Sequence, residues 1–147
     1  MTKKNKIVHI VNGPNMNLLG EREPEIYGCE TLERLNVRLS EYAAKHGATL
    51  TFFQSNHEGE LVDYIQSLEA SSRIIINPAA YAHTSLALPD ALRGKRLKAV
   101  EVHISNIHAR ESYRQHSYLS SAVVGVIAGL GSYGYFLALE YLLKNYD

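Results

Sequence analysis

The chain predicts an α/β fold: a doubly wound, five-stranded parallel sheet with helices on both faces. Two observations predict it. Five short runs are apolar on both faces of the would-be strand, the pattern of parallel strands covered on two sides. Helical periodicities fall between most of these runs, as parallel crossovers require. Residues 6–11 read as the first strand, and 49–53, 73–76, 97–104 and 123–128 as the other four. Thr31 can N-cap a helix whose Leu32, Leu35, Leu39 and Tyr42 share one face and which ends at Gly47. Leu61, Ile65 and Leu68 mark a second helix, and Thr84 or Ser85 caps a short third one stopped by Gly94. The last helix runs from about Ser132 through Phe136, Leu139 and Leu143. Five strands in this alternation fit a flavodoxin-like sheet better than a barrel. No linker or repeat interrupts residues 1–147, which read as one domain.

Fifteen basic and fifteen acidic residues balance, so no global field favours nucleic acid or an anionic membrane, and neither is expected as a partner. Lys3, Lys4 and Lys6 read as a solvated tail. Cys29 is the only cysteine, which excludes an intrachain disulfide or thiolate cluster and favours a cytoplasmic location. The first apolar run is short and interrupted by His9, unlike a signal peptide. No charge lies between His116 and Glu140, yet Gly125, Gly129, Gly131 and Gly134 break that stretch. A buried strand, a tight turn and a buried helix explain it better than a membrane span.

Ligands on open parallel sheets bind beyond the carboxyl ends of the strands. Those ends carry Asn12 to Asn15, Gln54 to His57, Asn77 to His83, and His103 to Ser105 followed by Arg110 and Arg114. Four polar clusters on one edge favour a pocket for a polar ligand. The connection after the first strand, residues 12–30, far exceeds the usual ~2–6 residues. Its Leu18, Leu19, Ile26 and Tyr27 argue against disorder, so it reads as a lid. The lid carries Arg22 and Tyr27. A free phenol ionises near about pH 10, too high for a base at neutrality, and a nearby guanidinium favours the phenolate.

His103 shares a strand face with Glu101. The two are either a satisfied core pair or a general acid with its orienting carboxylate, and the strand-end position favours the second. Arg110 and Arg114 either coat the surface or recognise a small carboxylate with a guanidinium fork. Asn77 and His83 suit a turn as well as a ligand. The run from Gly129 to Gly134 fits GxGxxG but lacks the later acidic residue of a dinucleotide site, so it reads as a tight turn. No histidine has a companion at metal-ligand spacing, and no metal is expected.

Taken together, NGPNMNLLGEREPEIYG, FFQSNHEGELVDYIQ, NPAAYAHTSLAL, EVHISNIHARESYR and GVIAGLGSYGYFLAL make the chain resemble type II 3-dehydroquinate dehydratase (type II dehydroquinase) over nearly its whole length. The resemblance implies conversion of 3-dehydroquinate to 3-dehydroshikimate, in the shikimate route or in quinate breakdown, with no metal or cofactor. It implies that Tyr27 is the base, Arg22 its activating cation, His103 the general acid, and Asn15 the holder of a water at the enolate oxygen. Asn77, His83, Ile104, Ser105 and Arg114 match substrate-binding positions. Glu101 would orient His103, Arg110 would support the lid tyrosine, and Asp90 would reach a neighbouring subunit's site in a dodecamer of trimers. Met16, Ala79 and Ala82 depart from the common pattern and bear on the shape of the substrate loop. The alternative is a flavin- or nucleotide-binding module on the same fold.

Overall fold

The computed structural model describes residues 5–146, so Lys3 and Lys4 lie outside the described residues. Five strands, β1 (Lys6–Asn12), β2 (Ala48–Gln54), β3 (Arg73–Asn77), β4 (Lys98–His103) and β5 (Gly125–Ala128), form one all-parallel sheet. Their order is β2-β1-β3-β4-β5, the flavodoxin-like order, in which the winding reverses between β1 and β3. The register sets Asn12 beside both Gln54 and Asn77, so polar residues end three adjacent strands at one level.

The helices are α1 (Pro24–Tyr27), α2 (Leu32–Lys45), α3 (Glu58–Ser67), α4 (Ala87–Gly94) and α5 (Tyr133–Lys144). Alternation along the strands divides the core. Val8, Ile10, Ile75, Val100 and Val102 pack with Leu35 and Leu39 of α2 and Leu139 and Leu142 of α5. Ile74, Ile76 and Ala99 pack on the opposite face with Leu61 and Ile65 of α3 and Leu88 and Leu92 of α4. Both faces of the sheet are therefore covered, as the apolar strands demanded.

Local chemistry explains the boundaries. Thr31 accepts the Arg34 N–H at 3.2 Å and starts α2, and Gly47 takes the left-handed φ of +72° that follows it. Strand β4 begins at Lys98 because the Leu97 N–H closes a turn onto the Leu92 carbonyl at 3.1 Å. It ends at His103, and the Ile104 carbonyl accepts the Gly131 N–H at 3.1 Å. Strand β5 begins two residues later than its apolar run, after a 3-10 turn over Ser120–Ala122. Leu68 lies just past α3 yet stays in its cluster. Ser85 precedes α4 by two residues, but its hydroxyl accepts the Leu88 N–H at 3.1 Å and does the work of a cap. Lys6 is no solvated tail. Its ammonium donates to the Leu143 carbonyl at 3.2 Å, near the negative end of α5.

The glycine run after β5 is a packing turn. A Cβ on Gly129 would meet the Asn106 Cβ at 2.9 Å, and one on Gly134 would crowd Ile127 and Val102 at 3.2 and 3.3 Å. Gly13 is tighter still: a Cβ there would lie 2.4 Å from the Pro78 carbonyl oxygen. Its N–H holds the Asn77 carbonyl at 2.8 Å, locking β1 to β3 at the carboxyl edge of the sheet. Gly13→Ala must push that backbone apart and is expected to cost about 1–3 kcal/mol, measured as a lower denaturant midpoint at unchanged m value. Among the described residues no helix is long and apolar enough to cross a membrane.

Candidate active site

His103, the last residue of β4, is 4 % exposed, and Glu101 two positions earlier is fully buried behind it. Their side chains share a face because strand side chains alternate. Glu101 Oε2 lies 2.5 Å from His103 Nε2. The carboxylate also accepts the Ser117 hydroxyl on Oε2 at 2.7 Å and the Ser120 hydroxyl on Oε1 at 2.9 Å. Burial alone would push this carboxyl up. The His103 hydrogen bond and charge, with the two hydroxyls, outweigh it and hold Glu101 below the usual carboxylate value.

A carboxyl depressed in the folded state adds stability that is complete above its unfolded value and is lost as pH falls through the folded one. Glu101→Gln should therefore flatten the acid side of the stability curve. Chemical denaturation between about pH 7 and about pH 3 reads this as a smaller loss of unfolding free energy than in the parent.

His83 faces His103 with 6.3 Å between ring centroids. Its Nδ1 is 2.8 Å from the His116 carbonyl; a carbonyl only accepts, so Nδ1 carries the hydrogen and Nε2 is left as an acceptor. Burial lowers the His83 value, the His116 bond opposes this, and the His103 and Arg114 charges lower it further; the net direction is down. His83 is thus a neutral ring at neutrality.

Asn77, at the end of β3, is 3 % exposed. Its amide donates to the Tyr135 hydroxyl at 2.9 Å and accepts the Ala79 N–H at 3.0 Å. Tyr135 passes its own hydrogen to Asn12 Oδ1 at 2.5 Å. Burial pushes this phenol far up and keeps it protonated, so the α5 tyrosine ties the ends of β1 and β3 together.

The lid is ordered. It folds as a 3-10 turn over Met16–Leu18 and the single turn α1, with Pro24 at the first helical position. Met16 and Leu19 anchor it in the core. Gly20, at φ +93°, lets it pass close to residues 29–31, where a Cβ would meet the Cys29 carbonyl at 2.9 Å. These contacts carry Tyr27 to the mouth of the cleft. Arg110 Nη1 donates to the Tyr27 Oη at 2.8 Å and reaches the Ser105 Oγ at 3.2 Å. Arg22 lies against the ring face instead, its guanidinium carbon 5.3 Å from the centroid, and pairs with Glu23 at 3.7 Å.

One cleft gathers Tyr27 and Met16 from the lid, Asn77 and His83 from the end of β3, and His103, Ile104, Ser105, Arg110 and Arg114 from the end of β4. Two cations and no carboxylate line it, which suits an anionic ligand. Arg114 is held by Glu111 at 2.9 Å. Asn15 and Arg22 are outside the lining. Asn15 is exposed, at φ +67°, and its N–H donates to Asn56 Oδ1 at 2.9 Å. Asp90 is exposed on α4, 3.9 Å from Arg93, and lines a separate shallow groove. Among the described residues no group of three or more His, Cys, Asp or Glu is placed to hold a metal ion.

Sequence reasoning missed Ser117, Ser120, Tyr135 and the His116 carbonyl. Tyr135 did carry a signal, since a phenol on the apolar face of a helix needs a buried partner. The serines carried none.

A flavodoxin-like sheet with a cationic cleft at its strand ends and a tyrosine-bearing lid has direct counterparts. Residues 6–143 match the family model described as dehydroquinase class II. The chain belongs to the class II dehydroquinase family and is a hydro-lyase of that family. It is 55 % identical to 3-dehydroquinate dehydratase 1 of Ralstonia nicotianae, over 95 % of this chain and 90 % of that protein. It is 50 % identical to the catabolic 3-dehydroquinase of Penicillium rubens, over 97 % of this chain and 92 % of that protein. The crystal structure of type II dehydroquinase from Propionibacterium acnes superposes with a TM-score of 0.91 at 42 % identity, covering 97 % of this chain and 99 % of that one.

Proposed function

We propose that the protein dehydrates 3-dehydroquinate to 3-dehydroshikimate through an enolate, with Tyr27 as base and His103 as general acid. The observation that carries this reading is the single cleft holding Tyr27 on one wall and the Glu101-backed His103 on another. Elimination beside a ketone needs a base for the α-proton, a stabiliser for the enolate oxygen and an acid for the leaving hydroxyl. Tyr27 takes the proton, and Arg110, already hydrogen-bonded to its oxygen, supplies positive charge there. His103 gives a proton to the departing hydroxyl, which leaves as water. Protons and electrons balance without an external redox partner.

In this reading Asn15, next to Met16 on the cleft wall, holds a water against the enolate oxygen, and Arg22 adds charge on the ring face of Tyr27. Neutral His83 accepts a substrate hydroxyl through Nε2. Arg114 and the segment Ile104 to Ser105 receive the carboxylate, and Asn77 shapes the wall. Asp90, exposed and outside its own cleft, reaches a neighbouring subunit in a dodecamer of trimers in the cytoplasm. Light scattering of the purified protein tests that assembly.

Addition of 3-dehydroquinate to the purified protein should raise absorbance in the enone band. Borohydride added with substrate should leave activity intact, because no imine forms. Absence of the absorbance rise, or trapping of substrate on a lysine, would overturn the proposal.

A further inference from the structure

Behind His103, out of reach of any ligand in the cleft, two hydroxyls converge on one carboxylate. Ser117 donates to Glu101 Oε2, the same oxygen that meets His103 Nε2, and Ser120 donates to Oε1. Their placement is enforced from three sides. The Tyr118 N–H holds the Ala82 carbonyl at 2.8 Å, Leu119 between them is fully buried, and Ser121 accepts from Arg93 of α4 at 2.8 Å. Ser117 Oγ also accepts the Leu119 N–H at 3.2 Å, which leaves its own hydrogen for Glu101.

We propose that Ser117 and Ser120 are positioning residues that set the acid strength of His103 through Glu101. The proposal rests on the reading of His103 as the general acid. A hydrogen bond to the charged form of a carboxylate spreads its charge and lowers its hold on a proton. Glu101 and Ser117 are buried, so water does not replace the Ser117 donor, whereas Ser120 is exposed and its place on Oε1 is open to partial replacement by water. Removing either hydroxyl leaves a more basic carboxylate, which grips the proton shared with His103 more strongly. The acid is then weaker, and the coupled pair titrates at higher pH as a unit. Among the described residues, His83 faces the pair from the turn after β3 with Arg110 and Arg114 beyond it in the cleft, while His116 and Tyr118 flank Ser117 and line a surface groove with both serines. From the segment that holds the serines, hydroxyls alone reach Glu101.

The test compares Ser120→Ala, Ser117→Ala, and the matching substitutions Ser120→Thr and Ser117→Thr. Ser120 is exposed, so Ser120→Ala leaves the packing of Leu119 undisturbed. Two readouts are taken on the intact protein: the pH profile of kcat, and the imidazole titration of His103 by nitrogen-15 NMR. Ser117→Ala should move the pair's inflection upward by about one pH unit and Ser120→Ala by less in the same direction, with a fall in kcat near neutrality and little change in KM. The threonine variants should titrate like the parent. Alanine variants that titrate like the parent, or threonine variants that shift as far as alanine, would overturn the proposal. The NMR titration needs no turnover. Shifted variants of a protein without dehydratase activity would therefore sink the proposed function and leave the coupling through Glu101 standing.

Discussion

Tyr27→Phe is expected to lower kcat by about 10²–10⁴-fold, the usual share of a positioned base. Ligand affinity and folding should change little. The phenol lies on the lid rather than in the core, and its ring packs through carbon atoms that phenylalanine keeps. The hydroxyl accepts one hydrogen bond, from Arg110, which also holds Ser105. The guanidinium therefore stays in place when the phenol goes. Stopped-flow assay with a parallel binding titration checks this: turnover falls while the dissociation constant stays within a few-fold of the parent. Turnover near the parent's would remove Tyr27 as base.

His103→Ala should cause a loss of similar size in kcat, about 10²–10⁴-fold, and should also destabilise the fold. Here the two variants part company. His103 provides the leading hydrogen bond and charge that offset the burial of Glu101. With the imidazole gone, Ser117 and Ser120 alone oppose burial, and the carboxyl is no longer held as far below its unfolded value. The stability that the depressed carboxyl adds above its unfolded value is lost with it, so the penalty relative to the parent grows from acid towards neutral pH. Its size is about 1–3 kcal/mol, the cost of leaving a buried polar group short of a partner. Chemical denaturation at several pH values separates this pattern from a uniform loss of packing.

Much of the fold was legible because parallel strands covered on both faces have no polar face to hide. Ile74 to Ile76 are apolar at every position, and the two faces of β3 then fill two separate cores. Helix limits were legible where a cap is chemical, as at Thr31 and Gly47. Strand limits blurred where a backbone group found its partner off the sheet, as Leu97 does with Leu92 of α4. The cleft residues were legible because strand ends in this topology converge on one edge. What surrounds them was not. The bonds of Glu101 to Ser117 and of Tyr135 to Asn12 join residues far apart in the chain, and only the three-dimensional path brings them together. The length of the lid marked it as functional, yet the arginine nearest in sequence to Tyr27 meets its ring. The more distant Arg110 meets its oxygen.

In the proposed mechanism Tyr27 forms an enolate, which His103 then resolves by protonating the leaving hydroxyl. Hydrogen exchange at the substrate's α-carbon in heavy water separates the two steps. His103→Ala should still wash deuterium into 3-dehydroquinate while making almost no enone, because the base remains and the acid is gone. Tyr27→Phe should do neither. Exchange at the parent rate by Tyr27→Phe, or none by His103→Ala, would contradict that division of labour.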